Sequence, residues 1–307
     1  MTFINFQIFS KITFALIFLV IIAGSIVRMS GSGMGCPDWP KCFDMWIPPT
    51  DVSQLPDNYQ DVYKDRGYAT TEFNVLHTWT EYINRLIGAL AGFFTLVLFI
   101  LSFNQKNKLI IFLATMVVFS MGVQAWLGGV VVQSVLEPFK ITIHMIMAVF
   151  ILCLMLIIIN KSSNFQFVKE NTSFKRVLLA FIVISFIQIL LGTSVRESID
   201  VIAKQFNFEF RDLWVAELGL SFKIHRSFSI IVITVALYYV FLSLKNNLFI
   251  KHLKLIIGLL FTEILIGVFM AYFSIPFYLQ PIHLIFAISL FTVQTDVLIK
   301  YIMSPKQ

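Results

Sequence analysis

The chain has 307 residues, of which 58% are hydrophobic and only 13% charged, with a formal net charge of +6 and a mean hydropathy of +0.84. A soluble domain carries about a quarter of its residues as Asp, Glu, Lys and Arg, so this composition excludes a soluble enzyme and makes lipid the main solvent. The positive balance is small and segregated along the chain, which argues against a nucleic-acid partner.

Apolar stretches long enough to cross a ~30 Å hydrocarbon core recur near residues 10–28, 76–102, 109–132, 140–160, 174–195, 219–243, 253–273 and 280–302. Each is expected to be a helix, because backbone polar groups in lipid must pair within the segment. The basic residues Lys11, Lys106, Lys108, Lys161, Lys169, Lys175, Arg176, Lys245, Lys251, Lys254, Lys300 and Lys306 fall on one side, with only Glu170 and Asp296 as acidic neighbours. The positive-inside rule places that side, and both termini, in the cytoplasm. The class is therefore an all-α integral membrane protein with eight transmembrane helices.

The first span ends in Gly24-Ser25-Ile26-Val27-Arg28-Met29-Ser30, and the fifth in Gly192-Thr193-Ser194-Val195-Arg196-Glu197-Ser198. The second contains Asn84-Arg85 and the sixth His225-Arg226. The third contains Gln124 and Gly128, the seventh Glu263 and Gly267, while Ile143-His144 opens the fourth and Ile282-His283 the eighth. These pairs keep their order, so the chain reads as two parallel four-helix repeats. The expected division is 1–160, a cytoplasmic linker at 161–176, and 177–307. The match between spans one and five also implies that span one is retained rather than cleaved as a signal peptide. Two outer loops, 29–75 and 196–218, lack a strong fold signal and read as caps over the bundle.

Histidines His77, His144, His225 and His283 fall in the outer thirds of their spans. Ionisable groups inside a membrane are costly and mark functional sites by default. A structural, hydrogen-bonded histidine is the bland alternative for any one of them. His225 and His283 lie at matched depth, as the two axial ligands of a heme in a membrane cytochrome do. Zinc would demand further Cys, His or carboxylate ligands. Arg28, Arg85, Arg196 and Arg226 stand near the outer boundary, where they suit heme propionates or simply snorkel to the interface. His252 sits among inner lysines and reads as solvated.

The second span reads His77-Thr78-Trp79-Thr80-Glu81-Tyr82-Ile83-Asn84-Arg85. His77, Glu81, Asn84 and Gly88 share one helix face. Asn84 stands where the other half has His225, and His77 lies two turns further out, about 10 Å along the axis. This half therefore reads as a site with an open or exchangeable iron position. Glu81 is its candidate for proton transfer or electrostatic stabilisation, or is a carboxylate paired with Arg85 at i+4. Cys36 and Cys42 bracket a short loop on the oxidising side, as a disulfide or a reactive dithiol. Cys153 reads as inert packing.

Ser30-Gly31-Ser32-Gly33-Met34-Gly35-Cys36-Pro37-Asp38-Trp39-Pro40-Lys41-Cys42-Phe43 resembles the signature that follows helix one in the heme A synthase family of cytochrome oxidase assembly enzymes. Glu81 to Arg85 resembles that family's Glu-x-x-His-Arg motif, and His144, His225-Arg226 and His283 match its other histidine positions. The resemblance spans the whole chain. It implies oxidation of the C8 methyl of heme O to a formyl group, through two hydroxylations and loss of water, to give heme A. It further implies heme b on His225 and His283, heme O as substrate on His144, and Glu81 as the catalytic carboxylate. His77 is then the candidate second ligand on the substrate side, and Arg28, Arg85, Arg196 and Arg226 are the propionate partners. The setting implied is the bacterial inner membrane, with heme O handed over by a heme O synthase. The electron donor is not readable from the residues, and they admit a homo-oligomer without requiring one. Two departures stand out: Asn84 replaces the motif histidine, and the second outer loop lacks the cysteine pair that some members carry. The rival class is a diheme electron-transfer protein of the b type, which would need two closed bis-histidine sites. A transporter leaves the matched histidines unexplained.

Overall fold

The computed structural model describes residues 5–69, 71–162, 168, 170–206 and 209–305. Eight of its helices are long and apolar enough to cross a membrane. They are α1 (Phe6–Met29), α2 (Val75–Ser102), α3 (Lys108–Gln133), α4 (Pro138–Lys161), α5 (Thr172–Gln205), α6 (Leu220–Lys245), α7 (Ile250–Tyr272) and α8 (Leu279–Met303). The chain is an all-helical, multi-pass membrane protein. Parts of the expected linker, 163–167 and 169, lie outside the described residues, as does Lys306.

The starts of four helices have a common cause. Asn5, Asn74, Asn107 and Asn171 each stand at an N-cap, and each side chain accepts a first-turn backbone N–H. That satisfies donors that no helix can pair internally.

The chain forms two compact units, the first ending at Ile159 and the second beginning at Asn160. In the first, α1 packs on α2 and α2 on α3. Lipid is as apolar as leucine, so close packing and small residues must supply the attraction between helices. Ala91, Leu98, Ala114 and Val117 are correspondingly sealed. In the second unit, α5 packs on α6 and α8, and α7 on α8. Its end near the chain terminus is an aromatic knot of Phe174, Tyr239, Phe249 and Tyr301. Tyr301 Oη accepts the Asn171 N–H at 2.7 Å and lies 3.0 Å from the Asn171 carbonyl.

Helix ends lie within four residues of the sequence expectation except at α5, which continues to Gln205 rather than stopping near 195. The extension is amphipathic. Val195, Ile199, Ile202 and Ala203 form a buried stripe against Trp214, Leu218 and Ile275, while Glu197 and Lys204 lie off that stripe. Trp214 belongs to a short helix, Arg211–Glu217, and its indole donates to the Glu209 carbonyl at 2.8 Å. The described residues of the segment 196–218 are thus largely helical, where the sequence suggested a loop without a strong fold signal. His252 also departs from expectation: its Nε2 lies 3.0 Å from Lys300 Nζ, and Lys300 pairs with Asp296 at 2.6 Å.

Candidate functional site

The loop after α1 is built around a disulfide between Cys36 and Cys42. Phe43 fills a cage of Tyr59, Tyr63, Tyr68 and Phe73, so residues 29–75 carry a small apolar core of their own. Asp38 accepts the backbone N–H groups of Phe43 and Asp44, both at 2.7 Å. The Tyr68 hydroxyl donates to the Met34 carbonyl at 2.5 Å, and burial, with the Glu81 carboxylate nearby, pushes its phenol well above the ordinary value. The ring of Trp39 rests on Gly129 of α3, where a Cβ would lie 3.1 Å from it.

Glu81 and Arg85 fasten this loop to α2. Glu81 is only 4% exposed. Its Oε2 accepts the Cys36 N–H at 3.0 Å, and its Oε1 pairs with Arg85 at 2.5 Å. Arg85 Nη1 also donates to the carbonyls of Asp38 (2.8 Å), Pro40 (3.3 Å) and Lys41 (2.7 Å). The guanidinium fork is thus spent largely on the cysteine loop, and the i+4 pairing open in the sequence is formed. Gly35 permits the seating: a Cβ there would fall 2.3 Å from the His77 carbonyl oxygen and 2.7 Å from the Thr78 nitrogen. Gly35→Ala is therefore expected to lift the loop from α2 at a cost of about 1–3 kcal/mol, read as faster proteolysis of residues 36–68 in detergent. Wild-type resistance would contradict it.

Elsewhere in the first unit, His144 of α4 faces α3. Its Nε2 lies 3.3 Å from Gln124 Nε2, and a Cβ on Gly128 would come 3.5 Å from its Cε1. Among the described residues His144 Nδ1 and Asn84 Oδ1 are buried without hydrogen-bond partners, and a Cβ on Gly24 would lie 4.0 Å from Asn84 Oδ1. His77 sits in the first turn of α2, where Asn74 caps its N–H. Among the described residues no hydrogen bond links it to His144.

In the second unit, the imidazoles of His225 on α6 and His283 on α8 approach to 6.4 Å between centroids, with their planes crossed at 78°. An ion bound by two imidazole nitrogens at about 2 Å each, with each ring centre about 1 Å behind its nitrogen, sets the centroids about 6 Å apart. The observed spacing fits that arrangement. Gly192 and Gly267 make room for the rings, since a Cβ would lie 3.3 Å from His225 Cε1 and 3.4 Å from His283 Cε1. His225 Nδ1 and Gln188 Oε1 are buried and unpartnered, although Gln188 Nε2 donates to the His225 carbonyl at 3.1 Å. Buried polar atoms left unpaired cost about 1–3 kcal/mol each, so their gathering around two facing imidazoles suits a bound group that supplies partners.

Of the expected propionate arginines, Arg28 stands in the last turn of α1, Arg196 pairs with Asp200 at 2.9 Å, and Arg226 lies over Phe222 at 5.7 Å. Sequence reasoning assigned no site role to Glu263, whose Oε1 lies 3.0 Å from His283 Nδ1. An acidic residue in the middle of an apolar span was the signal that could have found it.

Residues 7–295 match the family of cytochrome oxidase assembly proteins. The chain is 25% identical to a heme A synthase of Flavobacterium johnsoniae, across 91% of this chain and 93% of that one. It is 27% identical to a heme A synthase of Shewanella oneidensis across 59% of this chain and 54% of the other. With a heme A synthase of Pelagibacter ubique it shares 29% identity across 58% and 57% of the two chains. Against the Shewanella and Pelagibacter relatives the chain therefore spans little more than half their length. Family match, span pattern and cysteine-loop motif agree: the chain belongs to the cytochrome oxidase assembly protein family, that of the heme A synthases.

Proposed function

We propose that this protein is a heme A synthase of the bacterial inner membrane, with both termini in the cytoplasm, that oxidises the C8 methyl of heme O to a formyl group. The observation that carries the reading is the pair of facing imidazoles, His225 and His283, at a separation suited to an iron between them. The family match and a heme A synthase relative aligned over nine-tenths of both chains support heme A formation as the activity.

In this reading the two units divide the work, as parallel repeats that have diverged. His225 and His283 hold a heme b, which supplies one-electron transfer when bound. The first unit takes heme O. There His144 is the protein ligand, and Asn84, a poor iron ligand, leaves the opposite side exchangeable or open to His77. Converting a methyl to a formyl group balances as R–CH3 + H2O → R–CHO + 4 H+ + 4 e−, so it draws oxygen from a water-level source, passes electrons in pairs to an acceptor outside the chain, and releases protons. Glu81, one turn from Asn84 on the same face, is the carboxylate placed to hold or move a proton, and its bond to the Cys36 N–H joins that role to the loop. Arg28, Arg196 and Arg226 are the candidates for pairing with propionates. A heme O synthase is the expected supplier of substrate.

The direct test is expression beside a heme O source, followed by pigment extraction and chromatography. Heme A should accumulate, and the purified chain should carry heme b with a bis-imidazole spectrum. A folded chain that yields no heme A overturns the assignment.

A further inference from the structure

We propose that Glu263 is a positioning residue for His283, fixing which ring nitrogen is free to bind iron and lowering the reduction potential of the heme held there. The inference rests on the heme reading above. Glu263 projects from α7, where it is the only ionisable residue between Lys254 and Tyr272. Its Oε1 lies 3.0 Å from His283 Nδ1, within ion-pair reach but without hydrogen-bond alignment, so that Nδ1 and Glu263 Oε2 are both buried without hydrogen-bond partners. One turn further along α7, Gly267 leaves space for the ring: its would-be Cβ lies 3.4 Å from Cε1 and 4.0 Å from Nε2. One helix thus supplies both the floor of the ring and the charged group at one of its nitrogens.

In its ionised form Glu263 can only accept, so the nitrogen facing it then carries the proton. Nδ1 is then the N–H, and the Nε2 lone pair is left for a metal. Metal-binding histidines commonly give their second N–H to such a carboxylate, which orients the ring and strengthens it as an electron donor. A stronger donor, with a negative charge behind it, favours the oxidised iron.

The first unit has a related arrangement, in which a carboxamide replaces the carboxylate and meets the other ring nitrogen, Nε2 rather than Nδ1. Gln124 stands on α3 as Glu263 does on α7, four residues before a glycine that lies under a histidine, and its amide is 3.3 Å from His144 Nε2. A carboxamide can donate or accept, so it neither fixes the tautomer nor adds charge. The fixed, charge-backed imidazole therefore belongs to the unit that keeps its heme, and the neutral, adaptable one to the unit that must exchange substrate for product.

The experiment is a redox titration of heme absorbance in the full-length chain in detergent, comparing wild type with Glu263→Gln, Glu263→Asp and Glu263→Leu. Heme content is measured in parallel. Glu263→Gln should keep its heme and shift the reduction equilibrium about tenfold toward the reduced form, ~59 mV upward for a one-electron couple. Glu263→Asp should restore part of the low potential, and Glu263→Leu should shift it at least as far as Gln. Heme-loaded variants with wild-type potential and ferric spectrum overturn the role of Glu263 while leaving the heme site intact. A wild-type chain that binds no heme removes the underlying reading instead, and this role with it.

Discussion

A chain carrying His225→Ala or His283→Ala is expected to lose its bis-imidazole heme spectrum and, with it, heme A production. Loss of a group that merely supports a ligand costs about 10–100-fold in metal affinity, so loss of the ligand itself should exceed about 100-fold. If, as proposed, the two rings 6.4 Å apart share one iron, the two variants should behave alike, because removing either would leave that iron with a single protein ligand. His144→Ala provides the contrast. It belongs to the other unit, so it should keep the bis-imidazole spectrum of the resident heme while heme O turnover falls. Absorbance spectra of the purified variants, with gel filtration to confirm folding, separate these outcomes. Unchanged bis-imidazole spectra in both His225→Ala and His283→Ala would remove the resident heme from the second unit.

Much of this arrangement was legible in the residues, for identifiable reasons. Spans are set by hydropathy over about 20 residues, a property of local composition, and the ends of the helices followed. The failure at α5 has the complementary cause. Its last turns alternate Arg196, Glu197, Asp200 and Lys204 with Val195, Ile199, Ile202 and Ala203, so average hydropathy falls although one face remains apolar. Only a periodicity reading, not a span reading, detects such an extension. The pairing of Glu81 with Arg85 was available from i+4 spacing. The capture of the Cys36 N–H and of three loop carbonyls by the same pair was not, because it depends on a fold of residues 36–45 that no periodic pattern encodes. The glycines under the histidines were visible as repeated positions, yet their purpose emerges only when Gly192 and Gly267 are found against the rings of His225 and His283.

Glu81 should separate chemistry from architecture when it is changed in two ways. Glu81→Ala removes the acceptor of the Cys36 N–H and leaves Arg85 a buried cation without its carboxylate. Breaking a buried pair from one side costs about 3–5 kcal/mol, and the loop should detach, seen as rapid proteolysis and as exposure of the Cys36–Cys42 disulfide to reductant. Both variants remove the charge opposite Arg85 and leave its bonds to the Asp38, Pro40 and Lys41 carbonyls, but Glu81→Gln, unlike Glu81→Ala, retains a side-chain oxygen for the Cys36 N–H and fills the buried space. The loop should then stay seated. What glutamine cannot do is take up and release a proton or carry the negative charge. A positioned acid or base contributes about 10²–10⁴-fold, so heme A production by Glu81→Gln should fall by about 100-fold or more while heme b in the second unit persists. If instead Glu81→Gln makes heme A at the wild-type rate with its loop in place, Glu81 serves as a clamp alone. The proton-handling group must then be sought elsewhere in the first unit, with His77 next on the same face of α2.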